Sequence, residues 1–376
     1  MLKVLLYSHF FYPSLGGLEN VSLALAEGFV ANGIECRVIT VTPDDGTKEF
    51  SFDVIRNPNK NQKIELVKWA DVILFNGASM ALQPWVLLYR KPFVWVHVGY
   101  QVSCIDGLGW VNGNKAPIGV YKSIGYHIKL RGLKAGVTDG IKLILKRFIA
   151  KNLVTKNIAI TTWMQNLQPL PRQVQIYNPF PLDQFLSSFK DNHESEYDFV
   201  FLGRIVSEKG VSTLLKAFAV LVHQYDINTN LLLIGDGKWR DQMQTLAKDL
   251  KIADFVTFVG KKSGSQLVDS VSKGKIAVIP SEWYEPMGGV ALELMAAGKN
   301  LIVSEYGGLK ECVGNAGLTF KNGDSVELAE CMSKLLNNEA LQEEQKQIGK
   351  ERVKLFHPSI FVEQYITLLK SIVNKR

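Results

Sequence analysis

The stretch DFVFLGRIVSEKG, residues 198–210, passes from a continuous apolar run into a polar loop bounded by glycines. A helical period follows at once, because Val211, Leu214, Phe218 and Val222 recur at spacings of three and four. Apolar runs without polar alternation are typical of strands in a parallel sheet that is covered on both faces. The stretch therefore predicts a strand, a loop and a helix of an α/β domain.

Apolar runs and helical periods alternate over most of the 376 residues. The predicted strands form a first set at 3–7, 36–41, 52–55, 71–75, 93–97, 157–161 and 174–177, and a second set at 198–203, 230–235, 255–260, 275–280 and 300–304. The proline-rich YNPFPLD (177–183) separates the sets, with the break near Asn178. Because the chain exceeds one ordinary core, we predict two Rossmann-like doubly wound α/β domains, 1–178 and 179–358, that face a central cleft.

The composition is that of a folded globular protein, with 47% hydrophobic and 21% charged residues. No apolar run approaches the roughly 20 residues that cross a bilayer. The apolar start resembles a signal peptide, but Ser8 and His9 interrupt it, so we expect a first β-strand there. The four cysteines lie far apart and form no metal-type pairs, which indicates reduced thiols in a cytosolic protein.

Positive charge is concentrated in one window. Residues 115–156 contain ten basic side chains and one acidic side chain, Asp139, which gives +9, whereas the rest of the chain carries −2 of the total of +7. Within this window GIKLILKRFIAKN (140–152) predicts a helix with an apolar face. Its apolar residues are Ile141, Leu145, Phe148 and Ile149.

Two interpretations of this helix stay open. In the first, the apolar face packs on the core and the basic side chains face water. In the second, a basic surface meets anionic lipid headgroups or an anionic acceptor. The candidate residues of that surface are Lys142, Lys146, Arg147 and Lys151. Nucleic acid is not an expected partner, because the window lacks stacking aromatics and a recognisable nucleic-acid motif.

The first loop, SHFFYPSLGGLEN (8–20), places Gly16 and Gly17 before the first predicted helix. Free N–H groups and the helix dipole make such a position an anion site. The three-glycine spacing of a dinucleotide fingerprint is absent. Phosphate binding and a plain turn are both open for this glycine pair.

The loop GRIVSEKG (203–210) carries Arg204 and Lys209 at the carboxyl end of a predicted strand. A guanidinium fork and an ammonium charge beside a helix N-terminus suit a diphosphate. The alternative is that both cations pair with nearby carboxylates, Glu208 among them. The Gly-Lys-Ser/Thr ending of a Walker loop is absent.

A third segment, EWYEPMGGVALELMAAG (282–298), places glutamates on both sides of a glycine pair. On a helix that starts near Gly288, Glu293 would lean back towards the N-terminus, where its carboxylate could accept hydrogen bonds from a ribose diol. Glu285 could contact another hydroxyl-rich group. The N–H groups of Met287, Gly288 and Gly289 could donate to sugar hydroxyls or phosphate. Alternatively, the glutamates only satisfy the helix N-terminus.

Several segments in order resemble the retaining glycosyltransferases of family 4, which have the GT-B fold. They are PSLGGLEN (13–20), GRIVSEKG (203–210), LLLIGDG (231–237), PSEWYEPMGGVALELMAAG (280–298) and SEYGGLKECV (304–313). The resemblance implies a nucleotide-sugar donor bound mainly by the second domain. It also implies that the final helix, 359–376, packs back on the first domain.

The resemblance also assigns roles to residues. It implies that Arg204 and Lys209 hold the donor diphosphate, that Glu293 holds the ribose and that Glu285 lies by the transferred sugar. His97, in WVHVGY (95–100), would lie near the reactive centre of the sugar. A structural role is the alternative for this histidine.

Two features qualify this resemblance. The family usually has Gly-Phe-Gly between the two glutamates, whereas this chain has Pro286, Met287 and Gly288. Proline removes one backbone donor, which weakens the prediction of sugar contacts near Glu285 more than that of the ribose contact. No Asp-x-Asp pair occurs in the chain, so the sequence gives no support for a metal-held diphosphate.

The expected function is the metal-independent transfer of a sugar from a UDP- or GDP-linked donor, with no further cofactor. The expected acceptor is a sugar or a lipid-linked molecule in polysaccharide or glycoconjugate biosynthesis. We expect a cytoplasmic location, with peripheral association at the inner face of the membrane. The alternatives are an epimerase or phosphorylase of the same fold, or a non-catalytic subunit that binds nucleotide sugar.

Overall fold

The computed structural model describes residues 1–14, 16–186 and 195–374. Contacts divide the chain into two compact units. The first unit comprises Met1–Val111, Ala116–Pro181 and Phe356–Arg376, and the second comprises Asn112–Lys115 and Leu182–Leu355. The division after Pro181 falls inside the proline-rich segment that separates the two predicted sets of strands.

The first unit is built on a parallel sheet. The strands of this sheet are β1 (Lys3–Ser8), β2 (Glu35–Thr40), β3 (Asp53–Arg56), β4 (Val72–Asn76), β5 (Phe93–His97), β8 (Lys156–Ala159) and β9 (Gln173–Gln175). Two short strands outside it fall between β5 and β8 in the chain: β6 (Trp110–Val111) belongs to the first unit and β7 (Asn114–Lys115) to the second. The order across the sheet is β3-β2-β1-β4-β5-β8-β9. Large side chains that are fully buried, such as Phe75, Phe93 and Trp95, fill the core around it.

Helices alternate with the strands of the first unit along the chain. They are α1 (Gly17–Ala31), α2 (Lys60–Trp69), α3 (Gln83–Leu88), α4 (Val120–Arg131), α5 (Leu133–Asn152) and α6 (Thr162–Leu167). In helix α1, Leu18, Val21, Leu25 and Phe29 recur at spacings of three and four, and Val21, Leu25 and Phe29 are buried. The apolar side of this helix is therefore its inward face.

The second unit has the same plan. Its described strands are β10 (Tyr197–Leu202), β11 (Leu231–Ile234), β12 (Val256–Gly260), β13 (Gly274–Ile279), β14 (Asn300–Ser304) and β15 (Gly317–Phe320). Its helices are α7 (Asp183–Leu186), α8 (Val211–His223), α9 (Arg240–Asp249), α10 (Gly264–Ser272), α11 (Gly289–Ala296), α12 (Gly308–Val313), α13 (Ser325–Leu336) and α14 (Glu339–Lys354). Its sheet is also parallel, in the order β12-β11-β10-β13-β14-β15.

Both sheets therefore have the doubly wound order in which the first strand of the sheet lies beside its fourth. The α/β class and the doubly wound domains predicted from the sequence are confirmed. Strand β15 is missing from the predicted set. Its sequence, GLTF (317–320), has no continuous apolar run, as suits a strand whose residues are mostly only half-buried. In such sheets the order reverses between β1 and β4, or between β10 and β13, and loops at these points are where ligands bind.

The last helix, α15 (Pro358–Val373), belongs to the first unit and packs on α1. Its apolar face, which includes Val362, Tyr365 and Leu369, is buried. The two helices approach closely at Gly28, where a Cβ would lie 2.6 Å from Cγ1 of Val362. Glycine at this position therefore makes room for the side chain of the last helix.

Two loops of the second unit are fixed to each other at the β10/β13 reversal point. The carbonyl oxygen of Glu208 accepts hydrogen bonds from the backbone N–H groups of Glu282, at 3.0 Å, and Trp283, at 3.4 Å. Gly210 has φ +68°, and a Cβ on it would lie 1.9 Å from the carbonyl oxygen of Pro280. The loop after β10 can approach the end of β13 only because residue 210 has no side chain.

We expect Gly210→Ala to destabilise the second unit strongly, because the added methyl group meets a backbone carbonyl that cannot move away. Gly264→Ala is the matched control, since Gly264 also has a positive φ, +54°, but open space around its Cβ position. In urea unfolding, Gly210→Ala should cost at least about 2 kcal/mol more than Gly264→Ala. Equal losses in the two variants would contradict the close approach of the two loops.

Candidate active site

An ion pair joins the two loops at the β10/β13 reversal point. Nζ of Lys209 lies 2.7 Å from Oε1 of Glu285, and the side chains are only 16% and 8% exposed. The hydroxyl of Ser281 donates to the same carboxylate oxygen, and Lys209 also lies over the ring of Trp283, at 5.8 Å. An ammonium group has three N–H donors. Only the one to Glu285 is used among the described residues, so the cation can still donate to a ligand.

Arg204 lies in the same loop as Lys209 but is much more open to solvent. Its side chain is 66% exposed, and Nη2 lies 3.3 Å from Oε1 of the buried Glu208. The alternative of carboxylate pairing is therefore realised for both cations, with Glu208 for Arg204 and with Glu285 for Lys209. A guanidinium has five donors, so a single contact with Glu208 leaves its fork available to an anion.

The glycine pair of the third segment lies at the start of α11, with Gly288 as the N-cap residue. This agrees with the helix start predicted near Gly288. The N–H of Gly288 donates to Sγ of the buried Cys312, at 3.4 Å. The prediction that three consecutive N–H groups face a ligand is therefore corrected for Gly288, and it stays a prediction for Met287 and Gly289.

Glu293 lies in the second turn of α11 and is half-buried. Its carboxylate has no hydrogen bond or ion pair with any residue that the structure describes. Burial without a partner raises the pKa of this carboxyl from 4.5 to about 7. Near neutral pH the group is therefore poised between its two protonation states, and donors from a ligand would favour the carboxylate.

In the first unit, Gly16 and Gly17 lie at the start of α1, as predicted. Gly16 is the N-cap residue, and a Cβ on it would lie 2.5 Å from Oε2 of Glu19. The other oxygen of Glu19 accepts a hydrogen bond from Ser14, at 3.1 Å. A protein carboxylate thus already lies beside the predicted phosphate position, and binding of phosphate by these glycines stays a prediction.

His97 is the last residue of β5 and is fully buried. Its Nε2 lies 2.8 Å from Oδ1 of Asn157. The amide of Asn157 donates to the carbonyl oxygens of Ala150 and Pro171, both at 2.9 Å, which fixes Oδ1 as the atom facing the histidine. Nε2 therefore carries the proton and donates to Asn157.

This arrangement defines the chemistry of His97. Burial lowers the pKa of the imidazole to about 4, so the ring is neutral at physiological pH. The remaining nitrogen, Nδ1, is then an acceptor, and it is buried without a hydrogen-bond partner among the described residues. His97 can accept a hydrogen bond from a hydroxyl group, but it is a poor source of positive charge.

The basic window forms parts of α4 and α5, and its predicted surface needs one correction. Arg147 is half-buried and donates to the carbonyl oxygens of Val102 and Pro169 and to the hydroxyl of Ser103. It therefore fixes α5 to the first unit and does not belong to an exposed surface. Lys142 and Lys151 are exposed and Lys146 is half-buried.

Of the two open interpretations of this helix, the one in which its apolar face packs on the core is contradicted for most of the residues of that face. Ile141, Leu145 and Phe148 are 62%, 48% and 54% exposed, and only Ile149 is buried. The buried side of α5 is formed instead by small residues and Leu143. Periodicity revealed an apolar face but could not show whether anything covers it.

Sequence reasoning missed several partners at these sites. Ser281, Trp283 and Cys312 contact predicted residues, and Asn157 orients His97 from a neighbouring strand. Asn322 donates to the carbonyl oxygens of Ser281 and Trp283 and so supports the loop after β13. The only local signal was the position of some of these residues at strand ends.

The described residues contain neither a metal-ion cluster nor a membrane-spanning helix. Over 1–14, 16–186 and 195–374, no three His, Cys, Asp or Glu side chains cluster in a way that could hold a metal ion. No helix in these ranges is long and apolar enough to cross a membrane.

Comparison with known proteins places the chain in a family. The profile described as glycosyl transferases group 1 matches residues 183–352. An uncharacterized glycosyltransferase of Methanocaldococcus jannaschii is 36% identical over 334 residues, which cover 80% of this chain and 80% of that protein. The chain belongs to the group 1 glycosyl transferases. It is therefore a glycosyltransferase.

Solved structures show the same fold. Sucrose-phosphate synthase from Thermosynechococcus elongatus is similar with a TM-score of 0.75 and 20% identity, over 100% of both chains. Anabaena HepE, solved in complex with UDP-glucose, has a TM-score of 0.72 and 16% identity, over 99% of this chain and 100% of that chain. The group 1 glycosyltransferase described here thus has the GT-B fold predicted from the sequence.

The raised pKa of Glu293 predicts a pH-dependent change in stability. A carboxyl whose pKa is raised by folding stabilises the native state below its unfolded pKa, and this contribution is lost as the pH rises through the folded value. Glu293→Gln should therefore be more stable than the wild type at about pH 8, by on the order of 1–3 kcal/mol, with little difference at about pH 4.5.

Urea unfolding of both proteins across this range measures the effect. Glu330→Gln, at an exposed position of α13, is the control and should follow the wild type at every pH. A difference between Glu293→Gln and the wild type that does not change with pH would show that the carboxyl is not desolvated.

Proposed function

We propose that this glycosyltransferase belongs to the retaining family 4 and transfers a hexose from a UDP- or GDP-linked donor to an acceptor. The observation that carries the proposal is the convergence of Lys209, Arg204, Glu285 and α11 at the β10/β13 reversal point. The two cations suit a diphosphate, and the carboxylate of Glu293 suits a ribose. HepE, which shares the fold, was solved with UDP-glucose, which supports a nucleotide-sugar donor.

The proposed chemistry at the diphosphate is electrostatic. When the bond between the sugar carbon C1 and the diphosphate oxygen breaks, its electron pair stays on the diphosphate. Lys209 has two N–H groups beyond the one that Glu285 accepts, and Arg204 has an exposed guanidinium. Such fixed donors stabilise negative charge as it develops. Because these cations supply the counter-charge, we propose that no metal ion is required.

Glu293 is the proposed ribose ligand. A vicinal diol donates two hydrogen bonds to a carboxylate, which favours the ionised form. Since burial holds the pKa of Glu293 near 7 before the ligand binds, the diol should lower it and release a proton near neutral pH. Binding of the nucleotide should therefore be coupled to the loss of up to one proton.

Two residues are proposed to act near the sugar. One oxygen of Glu285 receives Lys209 and Ser281, and the other has no hydrogen bond to a described residue and can accept from a sugar hydroxyl. His97 is neutral and its acceptor nitrogen Nδ1 is buried without a hydrogen-bond partner among the described residues, so its proposed role is to accept a hydrogen bond rather than to carry charge. Both assignments follow the resemblance to family 4.

The proposed acceptor is a sugar or a lipid-linked molecule of polysaccharide or glycoconjugate biosynthesis. The net positive charge of the α4–α5 region supports an acceptor that is presented at the inner face of the membrane. Peripheral attachment would then bring the enzyme to its substrate.

We expect Lys209→Ala and Glu293→Ala each to weaken binding of the nucleotide sugar by about tenfold or more, because each removes a charge-assisted hydrogen bond. Lys216→Ala and Glu330→Ala, at exposed positions of the same unit, are the controls and should bind as the wild type does. Calorimetry in buffers of different ionisation enthalpy measures both the affinity and the released proton. Unchanged affinity in Lys209→Ala and Glu293→Ala would refute the site.

A thermal-shift screen of UDP- and GDP-sugars, followed by product analysis, tests the reaction itself. Release of free nucleotide only in the presence of an acceptor, with retained anomeric configuration in the product, supports the proposal. Conversion of the donor without an acceptor would indicate an epimerase. Donor binding without turnover on lipid-linked and soluble acceptors would indicate a non-catalytic subunit.

A further inference from the structure

One face of the first unit combines exposed apolar side chains with positive charge. Helix α5 exposes six large apolar residues at helical spacing: Leu133, Val137, Ile141, Ile144, Leu145 and Phe148. Spacings of three and four place them in one stripe along the helix. We call this stripe with its neighbouring lysines the α4–α5 face. Exposed apolar patches of this length mark interaction sites in globular proteins.

The scaffold of the α4–α5 face is rigid. Glycines on the buried side of α5 let the two helices pack closely, since a Cβ on Gly136 would lie 2.6 Å from Cγ1 of Ile128 and one on Gly140 would lie 3.1 Å from Cγ1 of Ile124. Arg147 then fixes α5 to two backbone carbonyls of the unit. These contacts fix the rotation of α5 about its axis, so the apolar stripe faces solvent.

The charge around the stripe has one sign. Residues 120–152 contain eight basic side chains and one acidic side chain, Asp139, so they carry +7, of which one charge belongs to the half-buried Arg147 and does not face the stripe. Asp139 is neutralised within the face by Arg131, at 3.2 Å, and Lys142, at 3.1 Å. Lys134 and Lys151 are exposed and lie next to the apolar residues along α5. A partner that matches this face would be apolar at its centre and negatively charged around it.

These properties select among possible occupants. A second copy of this chain that used the same face would bring the same positive charge against it, which disfavours a symmetric dimer there. Nucleic acid offers negative charge but no apolar layer for aliphatic side chains. An anionic bilayer offers both, with headgroups for the lysines and the acyl boundary for the stripe.

The geometry points to the α4–α5 face as a bilayer-docking surface, in which the apolar stripe of α5 inserts at the acyl boundary and the lysines contact anionic lipid headgroups. The inference rests on the proposed function, in which the acceptor is presented at a membrane. It adds to that proposal the surface of the protein that contacts the membrane. It is tested without donor or transfer, so its failure and a failure of the proposed reaction are separate results.

The test is co-sedimentation of the full chain with vesicles. Vesicles of phosphatidylcholine with phosphatidylglycerol should bind the wild type, whereas vesicles of phosphatidylcholine alone should bind it at least about tenfold more weakly, since the lysines then have no anionic partner. Raising the salt from about 0.1 M to about 0.5 M should reduce the difference between the two vesicle types, because it screens the lysines.

Two variants separate the parts of the face. Ile144→Ser/Phe148→Ser shortens the apolar stripe and should weaken binding to anionic vesicles by about tenfold. Lys134→Gln/Lys151→Gln should weaken it by about tenfold or more and make it less sensitive to salt. All four positions are exposed, so the variants should melt as the wild type does.

The controls change the same residue types elsewhere. Leu88→Ser/Leu355→Ser replaces exposed leucines, and Lys60→Gln/Lys216→Gln replaces exposed lysines, all outside the α4–α5 face. Both should bind vesicles as the wild type does. The inference is overturned if the wild type does not bind anionic vesicles, or if Ile144→Ser/Phe148→Ser binds them with the affinity of the wild type. It is also overturned if the wild type is a dimer in solution that Ile144→Ser/Phe148→Ser converts to a monomer.

Discussion

The candidate donor site depends on the ion pair between Lys209 and Glu285, which links the loop after β10 to the loop after β13. Because both charges are largely removed from water, their attraction is offset by desolvation, and the pair contributes little net stability. Its effect is on geometry. Ser281 donates a hydrogen bond to the carboxylate of Glu285, and Trp283 lies against the ammonium group of Lys209. The ammonium is thus fixed in position while two of its N–H groups stay available to a ligand. A charge that is already oriented needs no reorganisation when a diphosphate leaves.

The order of the strands explains why these residues meet. In a doubly wound sheet the first and fourth strands are neighbours, so the loops that carry Lys209 and Glu285, which are 76 residues apart in the chain, emerge side by side. This made the fold and the two loops predictable from apolar runs and helical periods alone. The resemblance to a known family then assigned roles to Arg204, Lys209 and Glu293, and the comparisons confirm the glycosyltransferase family and the GT-B fold.

What the sequence did not predict depends on contacts between distant residues or on surfaces. Asn157 fixes the tautomer of His97 from 60 residues away in the sequence, and Cys312 accepts a hydrogen bond from the N–H of Gly288 from 24 residues away. Neither partner lies in a sequence pattern that indicates this contact. Arg147 is of a residue type that is usually exposed, but it fixes α5 to the first unit through hydrogen bonds. The apolar period of α5 gave the same signal as a core-facing helix, because periodicity records which side is apolar and not what covers it.

A crystal structure of the chain with the nucleotide sugar that stabilises it most would test the central claim most directly. We predict diphosphate oxygens within about 3 Å of Nζ of Lys209 and both ribose hydroxyls on the carboxylate of Glu293, with the ion pair to Glu285 kept. A nucleotide bound away from the β10/β13 reversal point, or a diphosphate with no contact to Lys209, would contradict the account.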